Sequence, residues 1–177
     1  MNTSNNNKEF DALIENLLLA YWHFCLNEIM HEMVKDEIWK KHLFFWNVTL
    51  IGLEEAYLLG LSKFFDRPSE LDQTISIYYF IDSGKKELVS KLKKTRNKML
   101  VHDDKKTTLN KGTFLQELGL NKSDIISLFE LAIELIDEIK GKFGIVTNIK
   151  QYFEHEKEKA RKDFETWFEV FKKGFQS

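Results

Sequence analysis

Between about Glu9 and Lys35, the residues Phe10, Leu13, Ile14, Leu17, Leu18, Tyr21, Cys25 and Ile29 recur at the three-and-four spacing of one helix face. A second long helix is predicted from about Glu37 to Phe65, apolar nearly all round between Leu43 and Leu53. Such a segment is either central and enclosed or carries a second apolar face kept for a partner. Asp66-Arg67-Pro68-Ser69 ends it, because the residue before a proline disfavours helix and Ser69 can cap the next one. A shorter helix is expected from Glu70 to Ile81, stopping at Asp82-Ser83-Gly84, and another from about Lys85 towards His102. Residues 103–112 read as a polar loop, with a brief turn after it at Phe114 to Leu118. Asn121 or Ser123 caps a helix to about Phe143 that carries Ile125, Ile126, Phe129, Leu131, Ile133, Leu135, Ile136 and Ile139. After Gly144, a last helix from about Asn148 to Phe175 has the stripe Ile149, Tyr152, Phe153, Ala160, Phe164, Trp167, Phe168 and Phe171, with charges opposite.

One proline in 177 residues and few Asn-Gly or Asp-Gly pairs agree with an all-α chain. The expected architecture is a helical bundle of four to five main helices, a single domain over residues 9–177 behind a disordered tail at 1–8. Apolar residues make up 43% of the chain, with fifteen Phe and four Trp, so a large core is available. The net charge of −2 advertises neither a nucleic-acid nor a membrane binder, so any basic surface must be local. One cysteine, Cys25, excludes an internal disulfide or a thiolate metal cage. No signal-peptide pattern opens the chain, and the uncharged part of Leu43 to Phe65 is too short to span a bilayer. A cytoplasmic protein is the simplest expectation.

The stretch KKTRNKMLVHDDKK, Lys93 to Lys106, holds the candidate chemistry. Only three of 26 basic residues are arginines, so Arg96 inside a lysine cluster suggests that a guanidinium fork is wanted and not charge alone. At about 100° per residue, Leu88, Val89, Leu92, Met99 and Leu100 form one apolar stripe with Arg96 near its middle. Lys91, Lys94 and Lys98 fall on the wet side. Arg96 therefore faces packed protein or a partner, where an unpaired charge is costly. His102 sits at the stripe's edge, roughly 120° from Arg96, so the two share a face only if the helix frays or another chain completes the site. The bland alternative pairs Arg96 with Glu54, Glu55 or Asp66 and leaves His102 to complement the helix dipole.

RNKMLVH, Arg96 to His102, resembles the signature of HEPN domains, and R-N-K-x-x-V-H-x-D resembles in particular the AbiU-type branch linked with bacterial abortive infection. FFWNVTLIGLEEAYLLGLSKFFDRPSELDQTIS resembles that branch's long second helix and the serine-led helix after it, so the likeness covers roughly residues 40 to 105. The resemblance implies a helical bundle that dimerises, with the arginine and histidine of both chains in one cleft. It implies a metal-independent endoribonuclease, a toxin paired with an antitoxin such as a nucleotidyltransferase. On this likeness Arg96, Asn97 and His102 are the catalytic positions. Asp104 stands where some antitoxin-modified members carry tyrosine, which puts that modification in doubt.

The chemistry suits those residue types. A ribose 2′-hydroxyl can attack the adjacent phosphorus if a base takes its proton and an acid protonates the leaving oxygen. Histidine's ordinary pKa fits both roles near neutrality, and arginine offers phosphate a planar charged fork. One motif histidine per chain supplies half of the pair; a two-fold dimer supplies both. Lys91, Lys94, Lys98, Lys105 and Lys106 would attract RNA backbone, or simply form a solvated face. None of His23, His31, His42 and His155 is read as part of a tight E-x-x-H or H-x-x-x-H pair, so no metal site is expected from them; there is no Gly-rich phosphate loop, no nucleophile elbow and no cofactor expected. The alternative function is a HEPN-like dimer that binds RNA or a partner protein without cutting.

Overall fold

The computed structural model describes residues 3–33, 37–66, 77, 81, 83–101, 120–144 and 146–174, and every regular element among them is helical. Five long helices and one short one come in order: α1 (Thr3–Glu32), α2 (Glu37–Lys41), α3 (Leu43–Phe64), α4 (Lys86–Val101), α5 (Lys122–Ile139) and α6 (Ile149–Gly174). The all-helical bundle expected from the spacing is the one observed. The predicted helix at Glu70–Ile81 lies outside the described residues apart from Ile77 and Ile81, both buried. The loop at 103–112, the turn at Phe114–Leu118 and the cap at Ser69 also fall outside them.

Element ends reflect local chemistry. Helix α1 begins at Thr3, about two turns before the expected start. Extending an existing helix costs far less than nucleating one. The single helix expected from Glu37 breaks at His42 (φ −123°, ψ 35°), where the His42 amide donates to the Trp39 carbonyl at 3.2 Å. The break lets Trp39 lie flat on Trp46, with centroids 4.8 Å apart and planes 10° apart. Helix α5 starts on a capping box: Asn121 Oδ1 accepts from the Asp124 amide at 3.0 Å, and Asp124 Oδ2 accepts from the Asn121 amide at 3.0 Å. It ends at Ile139, and Lys140–Phe143 tightens into a 3₁₀ turn closed by Gly144 at φ 71°, the left-handed region that glycine enters without penalty.

Packing divides into two apolar bodies. The larger is built from α1, α3, α4, α5 and the start of α6, around Phe10, Leu17, Leu61, Leu92, Phe129 and Phe153. Gly60 lets α1 and α3 close on each other; a Cβ there would sit 2.8 Å from the Ala20 Cβ. The smaller is an aromatic knot of Trp39, Trp46 and Phe168 with Met30 and Leu50. Between them, Asn27 Nδ2 donates to the Leu50 carbonyl at 3.1 Å, a buried bond tying α1 to α3.

The apolar start of α3 is not enclosed. Phe44 is 84% exposed and Val48 54%, and Leu43 and Phe45 are also open, so this helix carries the second apolar face that the sequence allowed as one of two readings. No helix among the described residues is long and apolar enough to cross a membrane.

Candidate functional site

Helix α4 presents Arg96 where the stripe argument puts it. Val89 and Leu92 are buried beneath it, and Thr95 is fully buried, its hydroxyl donating to the Lys91 carbonyl at 2.9 Å. The Arg96 side chain is 20% exposed and held from two sides. Its Nη1 donates to Asp66 Oδ2 at 2.5 Å, while Nε and Nη2 donate to Asn97 Oδ1 at 3.2 and 3.1 Å. Lys93 Nζ lies 3.7 Å from the other Asp66 oxygen. Of the three carboxylates open as partners, Asp66 is the one used; Glu54 and Glu55 are not.

A guanidinium has five N–H donors. These three bonds leave one N–H on Nη1 and one on Nη2 that can still meet another acceptor such as a phosphate oxygen. Asn97 thus holds the guanidinium through both Nε and Nη2. Lys94 is exposed and Lys91 half-buried, not fully on the wet side, because Thr95 turns the buried face of α4 towards it. Lys98 belongs to α4 by its backbone, and His102, Lys105 and Lys106 lie outside the described residues; His102 comes directly after the last residue of the helix, Val101.

Two cavities lie among other residues. One of about 530 Å³ between α1, α5 and α6 has Cys25 and Phe129 on its wall and the Glu32–Arg161 pair at its rim, with Arg161 Nη1 donating to Glu32 Oε2 at 2.9 Å. Burial pushes the Cys25 thiol up to about 11, so it is a poor nucleophile at neutral pH. The second, about 320 Å³, is lined by Glu28, His31, Glu54 and Lys122 among others. Contrary to the expectation that no histidine belongs to such a pair, Glu28 and His31 stand at Glu-x-x-His spacing, one helical turn apart, and that spacing was the available signal for this cluster. Among the described residues no three metal-ligating side chains converge.

No protein-family model, curated protein or solved structure matches the chain.

Proposed function

We propose that the protein is a HEPN-type, metal-independent endoribonuclease acting as a toxin or abortive-infection effector, cutting RNA at a site that Arg96, Asn97 and His102 of two chains complete together. The observation that carries this reading is the tethered guanidinium. Asn97 and Asp66 hold Arg96 in one plane with two donors left over, on the helix whose next residue is His102. A fixed fork costs little reorganisation when negative charge builds on a phosphate. One histidine takes the 2′-hydroxyl proton, the oxygen attacks phosphorus, and the second histidine protonates the departing 5′-oxygen. The products are a 2′,3′-cyclic phosphate and a 5′-hydroxyl, and no step calls for a metal.

The outer face of α3 supports the pairing. Asp66 follows the C-terminal end of α3, at the opposite end of the helix from Phe44 and Val48. Phe44, Val48, Gly52 and Glu55 line the same exposed face. A two-fold axis running along α3 would cover the apolar half of this face and bring two Asp66–Arg96 pairs to the same end of the dimer. The test is cleavage of single-stranded RNA in EDTA. The expected outcome is a cyclic-phosphate product from the wild type and at least a hundredfold loss for His102→Ala and Arg96→Ala, the order general acid–base groups contribute. Undiminished cleavage by either variant would overturn the assignment.

The Asp66 pair also favours the second reading, a non-catalytic HEPN-like dimer that binds RNA or a protein, because it neutralises the charge a phosphate would seek. Binding without any cleavage distinguishes that case.

A further inference from the structure

The 320 Å³ cavity between α1, α3 and the start of α5 holds none of the Arg96 surroundings and is independent of the nuclease reading. Its charges do not balance. Glu28 and Lys122 pair with each other across α1 and α5. Glu54, half-buried on α3, has no hydrogen bond or ion pair among the described residues. Burial first, and then the neighbouring Glu55, push its carboxyl up to about 7. Beside it, Phe24 and Tyr57 meet edge to face, with centroids 5.5 Å apart and planes at 85°.

We propose that this cavity binds a small organic cation, an alkylammonium whose charged head meets the Glu54 carboxylate and whose carbons pack on Phe24 and Tyr57. A half-desolvated carboxylate without a counter-charge gains most from an incoming cation. Aromatic rings add attraction for an ammonium and shelter its methylenes. An anion would face Glu54, and the lysine at the wall, Lys122, is already engaged by Glu28. A neutral ligand would leave the carboxylate uncompensated. The volume lies at the small end of ligand pockets, which suits a short amine and excludes a folded peptide.

The groups facing Glu54 set the pH behaviour: Glu28 and His31 from α1, Glu55 and Tyr57 from α3, and Lys122 from α5. The ammonium binds the ionised carboxylate, so affinity is full above pH 7 and falls as the pH drops through that value. Glu54→Gln removes the carboxylate and with it this pH dependence.

The test is calorimetric titration of the full chain with 1,4-diaminobutane and with tetramethylammonium, using butyrate as the anionic control. At pH 8 at least one ammonium binds and butyrate does not. Between pH 8 and pH 6 the affinity drops by about tenfold, the change in ionised fraction for a group titrating midway. Glu54→Gln lowers the pH 8 affinity at least tenfold, and Lys122→Met, which frees Glu28, raises it. Absence of binding by both ammonium compounds at millimolar concentration, equal affinity in Glu54→Gln, or weaker binding in Lys122→Met would each overturn the proposal.

Discussion

Replacing Glu54 by glutamine removes a charge that the fold holds at a cost. In the folded chain its carboxyl titrates at about 7 against an ordinary 4.5. Between those values the folded state keeps a proton that the unfolded state has released. Stability is therefore highest below pH 4.5, as far as this group is concerned, and is lost as the pH rises towards 7. At about 1.4 kcal/mol per pH unit the full penalty is about 3.5 kcal/mol. Solvent reaching the partly exposed carboxyl reduces this to about 1–2 kcal/mol. Glutamine keeps the shape without the charge, so Glu54→Gln should be more stable than the wild type by about that amount at pH 8, with little difference near pH 4.5. Urea unfolding monitored by circular dichroism from pH 4.5 to 8.5 gives both curves. Parallel curves, or a variant less stable than the wild type at pH 8, would refute the claim that desolvation dominates this carboxyl.

Gly60→Ala should destabilise by about 1–3 kcal/mol in the same assay, because its Cβ would press on Ala20, which has no flexible end to yield. Gly52→Ala, with nothing within 4 Å of the new methyl, should instead gain about 0.5–1 kcal/mol from helix propensity. Asn121→Ala removes the capping box of α5 and should cost about 1 kcal/mol in thermal or urea unfolding. Asp66→Asn releases Arg96 Nη1; stability should fall by only about 0.5–1 kcal/mol, while RNA affinity measured by fluorescence anisotropy rises and grows more salt-sensitive. Unchanged affinity would mean that Arg96 does not meet phosphate.

Helix existence was legible because apolar spacing is a local signal: Leu17, Leu18, Tyr21 and Cys25 on α1, and Ile125, Phe129, Leu135 and Ile136 on α5, are buried as their periodicity demands. Long-range effects were less so. The break at His42 accompanies the stacking of Trp39 on Trp46, a contact that spacing does not encode. Tyr152 and Trp167 belong to the apolar stripe of α6 yet stand 38% and 46% exposed, because the stripe is wider than the surface it packs against. At the candidate site, the inward placement of Arg96 came from helix geometry. Its choice of Asp66 did not, since adjacent positions on α3 offered equally plausible carboxylates, Glu54 and Glu55. The Glu28–Glu54–Lys122 cavity depends on three helices meeting, and only the Glu-x-x-His spacing of Glu28 and His31 hinted at it.

Whether two chains make one catalytic centre is decided by measuring RNase activity per chain against protein concentration, alongside sedimentation velocity, for the wild type and Val48→Glu. Val48 lies on the exposed face near the start of α3, whereas Arg96 on α4 meets Asp66 just past the other end of α3, so the substitution targets pairing and leaves the motif intact. Cleavage should rise with the dimer fraction, and Val48→Glu should lose both together while remaining folded. A monomer that cuts RNA at full rate, or a Val48→Glu protein that cuts as well as the wild type, would contradict the shared site.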